Sequence, residues 1–344
     1  MKINPSDLEL IADHLEQDYS YYENKNIFLT GGTGFFGKWM LEAFIYLNRN
    51  HSLNVTVTIL SRSPSKFKEG FPHLFNNEFF RFARGNVRDF PNIDEDFDLI
   101  IHAATDASAE LNKSNPELMR STIMDGAQSI CDFASKVRCK RILYTSSGAA
   151  YGPQPENLKH MPETFVVNPL FNHNDAYASA KLKSEKYFID NAPCDVVIAR
   201  CFAFSGPYLP LNSSYAFGNF IDDSLNDRDM IIKGDGTAVR SYLYAADLVI
   251  WLLRLLSSGE AGCIYNVGSP KEISIYDLAA KISSQSINEN IVEVSKNKST
   301  KINRYVPNVD KVKKDLNLEV YTSLEKAISS TIAFYSGEVS KYRN

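Results

Sequence analysis

The sequence predicts an α/β fold, a doubly wound parallel sheet with a smaller C-terminal lobe. Three observations predict it. Short apolar runs alternate with helical patterns from residue 26 to about residue 202. These runs are apolar without clean alternation, as strands buried on both faces are. The first run, Ile27-Phe28-Leu29, enters a glycine-rich turn and then a helical pattern, within NIFLTGGTGFFGK at 26–38.

That turn places Gly31, Gly34 and Gly37 at GxxGxxG spacing, a variant of the dinucleotide fingerprint of Rossmann-type sheets. The first glycine permits a tight turn at positive φ. The second lets the backbone approach a pyrophosphate, and the third lets helix pack on strand. The helix N-terminus offers unpaired N–H groups and partial positive charge to the phosphates. Thr33, Phe35 and Phe36 fill the rest of the turn and count with the glycines as cofactor contacts.

The remaining elements follow in order. Before the first strand, Ser6-Asp7-Leu8-Glu9 has capping-box form, and Leu8, Ile11, Ala12, Leu15 and Tyr19 share one helical face. Residues 1–25 are therefore expected to be a helical extension that packs on the main domain or a neighbouring subunit. Strands are expected near 54–60, 79–82, 97–101, 142–145 and 195–199, and helices near 115–137 and 177–189. These make 26–202 the dinucleotide-binding domain. Beyond it, Gly206-Pro207 and Pro210 mark a loop, and Gly234-Asp235-Gly236 a turn. Helices are expected near 214–225, 245–256, 275–282, 309–316 and 324–335. Residues 203–344 read as a mixed lobe that closes over the carboxyl edge of the sheet, with some chain crossing back.

Composition narrows the function classes. The 344 residues suffice for a large core, and the net charge of −4 gives no reason to expect a nucleic-acid or anionic-membrane partner. No apolar run approaches the roughly 18–20 residues of a membrane span. The acidic N-terminus lacks an apolar signal core, so a cytoplasmic location is expected. Cys131, Cys139, Cys194, Cys201 and Cys263 show no CxxC spacing, so reduced thiols and no metal are expected.

Cofactor choice is read at the end of the second strand. An Asp or Glu there binds the ribose hydroxyls of NAD. This chain has Ser61-Arg62-Ser63. An acid repels a 2′-phosphate and an Arg pairs with it, so Arg62 favours NADP over NAD.

The catalytic pattern lies in DAYASAK at 175–181. Tyr177 and Lys181 are four apart and share a helix face. A free phenol, with a pKa of about 10, is a poor base at neutral pH. A nearby ammonium and a nicotinamide cation favour the phenolate. Hydride transfer at a carbinol needs such a group to take or give the hydroxyl proton. Upstream, YTSSGAAYG at 144–152 leaves a strand end, with Ser147 placed to bond the same oxygen and Thr145 beside the cofactor.

Taken together, TGGTGFFG, HAAT, YTSSGAAYG, YASAK, ARCFAFSGP, GDGTAVRSYLYAADL and YNVGS resemble the extended short-chain dehydrogenase/reductase superfamily, in its nucleotide-sugar epimerase/dehydratase branch. The resemblance spans about 25–336. It implies that Tyr177 is the acid/base, that Lys181 holds the nicotinamide ribose and tunes Tyr177, and that Ser147 is the third catalytic member. It implies that Asn86 and Val87 line the adenine, that Ala103, Ala104 and Thr105 line ribose and phosphates, and that Phe202 falls near the nicotinamide. Arg240 would grip the substrate diphosphate, with a structural ion pair to Asp235 or Asp247 as the plainer reading. Asn219 would touch the same substrate or cap a helix. A homodimer through helices near 115–137 and 177–191 is also implied.

Departures from the pattern bear on the reaction. The 4,6-dehydratases of this branch carry Asp-Glu where this chain has Gly148-Ala149, and nucleotide-sugar decarboxylases carry Glu at the second of these positions. Both reactions are disfavoured. Ala203 stands where UDP-hexose epimerases carry Asn, so sugar recognition is expected to differ, with Pro207-Tyr208-Leu209-Pro210-Leu211-Asn212 as a possible contributor. An epimerase and an NADPH-dependent 4-keto-sugar reductase remain, the epimerase favoured narrowly. A non-catalytic dinucleotide module is the alternative from another class.

Overall fold

The computed structural model describes residues 3–105, 109–167, 175–212, 215–286, 288, 290–295 and 302–342. Seven strands form one sheet. In chain order they are β1 (Asn26–Thr30), β2 (Thr56–Ser61), β3 (Phe80–Arg84), β4 (Leu99–His102), β5 (Arg141–Ser147), β6 (Asp195–Cys201) and β7 (Ile264–Val267). The order across the sheet is β7-β6-β5-β4-β1-β2-β3, and every pairing is parallel. The strand order reverses between β1 and β4, where open α/β sheets leave a ligand crevice at the carboxyl edge.

Apolar layers cover both faces. On one, the helix Phe35–His51 packs Trp39, Met40 and Phe44 into a core shared with Ile27, Leu29, Ile59 and Val249. On the other, the helices Pro116–Lys136 and Ala176–Asn191 bring Ile130, Phe133 and Phe188 against Phe28, Ile100 and Ile142. Both of these helices start where side chains satisfy free N–H groups. Asn115 accepts from Leu118 N at 3.1 Å, and Asp175 accepts from Ala178 N at 3.1 Å.

The C-terminal part crosses back to the first domain in two places, of which the strand was not expected. β7 adds an edge strand to the sheet, and the helix Ala245–Ser258 joins the core under it. Thus the chain after 203 contributes directly to the first domain's core. The rest of it forms a smaller cluster of Phe217, Phe220, Ile221, Met230, Leu278, Ile282 and Ile328.

The N-terminal helix runs Pro5–Leu15. Its cap is Asn4, whose side chain accepts from Ser6 N at 3.1 Å, and not Ser6. Pro5 explains the shift, because proline suits the first helical position and leaves the preceding Asn as cap. This helix packs on Ala245–Ser258 and Phe35–His51 of the same chain, with Ile11, Ala12 and Leu15 fully buried. Arg254 donates to Asp18 at 2.7 Å and Tyr244 donates to Asp7 at 2.8 Å, so the segment is sewn to the core by buried polar bonds.

Candidate active site

The carboxyl edge of the sheet opens onto a cavity of about 960 Å³. The glycine turn forms one end of it. Gly31 has φ +74°, and a Cβ there would lie 2.5 Å from the Ala103 carbonyl oxygen. A Cβ on Gly37 would lie 2.3 Å from Gly32 Cα, so helix and strand meet with only backbone between them. Gly34, Phe35 and Phe36 line the cavity, whereas Thr33 is half-buried and outside the lining. The residues present fit a dinucleotide, since Gly31 and Gly37 leave no room for a Cβ and the turn opens on the cavity at Gly31 and Gly34.

Across the crevice, the end of β4 supplies Ala103, Ala104 and Thr105. Thr30 Oγ1 accepts from Ala104 N at 3.1 Å and is 2.8 Å from His102 Nδ1, which fixes this segment to β1. Burial pushes the His102 imidazole down to about 3, so it stays neutral. Asn86 and Val87 lie in the turn after β3. Asn86 Oδ1 accepts from Arg88 N at 3.1 Å, and Val87 packs on the second apolar layer near Gly126. Arg62 lies just past the end of β2, exposed, with no hydrogen bond or ion pair among the described residues. Neither Arg62 nor the Asn86-Val87 turn belongs to the cavity wall.

Tyr177 and Lys181 do share a face of their helix, and both line the cavity beside Ser147 from the end of β5. The Ser147 hydroxyl accepts from Ala149 N at 3.1 Å and favours the ionised form of the Tyr177 phenol. Lys181 is fully buried. Its Nζ donates to Thr105 Oγ1 at 2.7 Å and to the Thr145 carbonyl at 2.8 Å, and it lies 4.7 Å from the Tyr144 ring and 6.0 Å from the Tyr177 ring. Thr145 Oγ1 donates to the His102 carbonyl at 3.2 Å. Desolvation brings the Lys181 ammonium down to about 7. The Tyr177 phenol is pushed above its ordinary range by burial, against the downward pull of Ser147. The expectation joins the Lys181 ammonium to a nicotinamide cation in favouring the phenolate, and the protein's own groups leave the phenol above its ordinary range. In the protein by itself desolvation is the larger effect at the phenol, and the ammonium is bonded to Thr105 and Thr145.

In the lobe, Arg240 sits on the short strand Val239–Arg240 and reaches the cavity. Its Nη1 donates to the Val239 and Asn303 carbonyls at 2.8 and 3.0 Å. No carboxylate pairs with it among the described residues. Asp235 is engaged by Thr237 at 2.8 Å and Asp247 by Tyr321 N at 2.6 Å, so the structural ion pair is not what is found. Desolvation lowers the Arg240 pKa, the mark of a cation lacking a counter-charge. Asn219 is half-buried inside the helix Ala216–Leu225, whose cap is Tyr215, so it is no helix cap; it is also outside the cavity lining.

The reading of the sequence missed Tyr305. It lines the cavity, lies 3.5 Å from Ser147 Oγ, and packs its ring 4.7 Å from that of Phe202. A Cβ on Gly148 would lie 2.8 Å from the Phe202 ring and 2.8 Å from the Tyr305 hydroxyl. The place of the missing carboxylate at 148 is therefore filled by two aromatic side chains. Tyr242, Tyr215 and Cys201 also line the cavity, and Glu110 is the one carboxylate in its lining among the described residues. None of these carried a spacing signal, since each comes from a different element.

The sheet, the glycine turn and the cavity at the strand reversal define a Rossmann-type dinucleotide-binding protein. Residues 27–268 match the family described as "NAD dependent epimerase/dehydratase family", and the chain belongs to it. A curated relative, UDP-glucuronic acid decarboxylase 1 of Arabidopsis thaliana, is 28% identical over 316 residues, 91% of this chain and 70% of the relative. The UDP-glucose 4-epimerase of Thermotoga maritima, solved with UDP-glucose, superposes with a TM-score of 0.74 at 22% identity, covering 91% of this chain and 99% of that one. The enzyme WbmF of Bordetella bronchiseptica, solved with NADH, gives 0.77 at 20% identity, covering 94% and 95%. Among the described residues, no helix is long and apolar enough to cross a membrane, and no group of His, Cys, Asp and Glu could hold a metal.

Proposed function

We propose that this chain acts on a nucleotide-activated sugar, moving a hydride at a ring carbon, C4, with NADP or NAD, and that it is an epimerase. One observation carries the reading. Ser147, Tyr177 and Lys181 gather on a single cavity that also contains Arg240, a half-buried cation with no carboxylate partner among the described residues. When bound, the nicotinamide supplies the hydride acceptor and donor. Tyr177 takes and returns the proton of the sugar hydroxyl. Ser147 orients that hydroxyl, and Lys181 places its charge beneath the pair. Arg240 binds the diphosphate bidentately. The reading includes a homodimer through Pro116–Lys136 and Ala176–Asn191.

Decarboxylation and 4,6-elimination are disfavoured although curated relatives bear decarboxylase names. Gly148 and Ala149 offer no carboxylate, and Phe202 and Tyr305 occupy the room one at 148 would need. A second reading, an NADPH-dependent 4-keto-sugar reductase, draws support from the exposed and unpaired Arg62.

Incubation with UDP-hexoses separates these outcomes. A product of unchanged mass with inverted C4, seen by proton NMR, is the expected result. A stoichiometric fall in NADPH absorbance with a 4-keto sugar nucleotide would favour the reductase. Loss of water from the hexose, or of carbon dioxide when UDP-glucuronic acid is supplied instead, would overturn both readings. Replacing Tyr177 with Phe should cut turnover by roughly 10²–10⁴-fold with cofactor affinity retained.

A further inference from the structure

Beneath the site lies a buried ion pair that the proposed chemistry does not use. Tyr177, Lys181 and Glu185 occupy one face of the helix Ala176–Asn191, at successive steps of four. Glu185 is 2% exposed and Arg200, on β6, is 4% exposed. Arg200 Nε and Nη2 donate to the two Glu185 oxygens at 2.9 and 2.5 Å, a fork on a fork. Ser146, the neighbour of Ser147 on β5, donates to the same carboxylate. The guanidinium carbon lies 4.2 Å from the Tyr151 ring centroid, and Tyr151 donates to Asn266 on β7 at 2.8 Å. At the residue before Glu185, Ser184 Oγ and the Tyr144 hydroxyl of β5 are 2.6 Å apart.

Burying both charges costs several kcal/mol per ion before their attraction is counted, and apolar pairs of like volume often serve stability as well or better. Stability is thus a weak reason for this pair. Its geometry supplies another. It ties the helix bearing Tyr177 and Lys181 to the strand bearing Ser147, at the residue next to Ser147. It also puts a carboxylate one helical turn from the Lys181 ammonium.

We propose that Glu185, held by Arg200, is a positioning residue that keeps Lys181 charged and in register with Ser147 and Tyr177. This rests on the hydride-transfer reading above. The groups facing Lys181 are few. Desolvation opposes its charged form, Cys201 and Glu185 favour it, and His102 stays neutral. The Tyr144 and Tyr177 rings and the Thr105 and Thr145 oxygens complete its surroundings. The Glu185 carboxylate is the charged partner on the same helix face.

The test uses Glu185→Gln in the whole protein. Lys181 then loses its proton at lower pH, so the alkaline limb of the kcat/KM profile moves toward acid by about one unit, a tenfold loss at a fixed pH on that limb. The KM for the UDP-hexose that the wild type converts should stay within about threefold, because Arg240 is untouched. If Glu185→Gln fails to fold, the double variant Glu185→Leu/Arg200→Met keeps the volume without charge, and a smaller shift in the same direction is expected, because the Arg200 cation leaves with the carboxylate. A folded variant with the wild-type pH profile would overturn the proposal, even if its Tm fell. Should the wild type turn over no UDP-hexose, the hydride-transfer reading fails by itself. The pair is then read by ultraviolet titration of the phenols in the NADP-loaded protein, differenced against Tyr177→Phe. Titration of Tyr177 at higher pH in Glu185→Gln supports the coupling, and an unmoved titration rejects it.

Discussion

Two cations sit in the cavity under opposite demands. Lys181 is pulled down to about 7 by desolvation, from an ordinary 10.5. A lysine whose folded pKa lies below its unfolded value binds fewer protons folded than unfolded between the two, so its contribution to stability rises with pH across that window. The penalty is therefore greatest below pH 7. Lys181→Met should lose turnover, and its Tm relative to wild type should fall as pH is raised from below 7 toward 10.5. A pH-independent Tm difference would place the ammonium in water. No carboxylate among the described residues pairs with Arg240, so its charge is open to a diphosphate. Arg240→Ala should raise the KM for a UDP-sugar by roughly ten- to a hundredfold, the loss of one charged hydrogen-bonded contact of about 1.5–3 kcal/mol. Steady-state kinetics read this, and an unchanged KM would remove Arg240 from the substrate site.

At the scale of elements, the N-terminal helix is the lesson. Its apolar face was legible, because Leu8, Ile11, Ala12 and Leu15 recur at helical spacing. What it packs on was not. Arg254 and Asp18 meet as a buried pair although 236 positions separate them. No local pattern announces a partner at that distance. Asp18→Ala should leave Arg254 buried without its counter-charge and lower stability by about 3–5 kcal/mol, measured by urea unfolding. A loss well under 1 kcal/mol would mean that the segment frays from the core. The glycine turn is the opposite case. Its strand, its turn and its helix are contiguous, and each glycine's task was readable before the close approaches of Gly31 and Gly37 were seen.

For the molecule as a whole, dinucleotide binding couples to folding, because a ligand of the native state stabilises it by mass action, about 2.7 kcal/mol at a hundred times Kd. If Arg62 reads a 2′-phosphate, NADPH should raise Tm more than equimolar NADH does. Arg62→Ala should erase that difference and leave the NADH shift intact. Equal shifts in the wild type would return the preference to NAD. Six of the seven strands of the sheet were expected within a residue or two at most of their ends. β7 was not, since Ile264–Val267 is a short edge strand whose place is set by pairing with β6 far upstream.

What the sequence alone determined was whatever is written locally: the glycine turn, the helical spacing of Tyr177 and Lys181, the Ser147 strand end, and the absence of a carboxylate at 148 and 149. Only the tertiary structure decided that Phe202 and Tyr305 fill the space beside Gly148, that Arg240 has no carboxylate partner among the described residues, and that burial outweighs the pull of Ser147 at the Tyr177 phenol. The reason is physical. Periodicity and turn chemistry act over a few residues, whereas desolvation and close contact depend on groups brought together from β5, β6 and the lobe, whose distance along the chain leaves no mark in the local pattern.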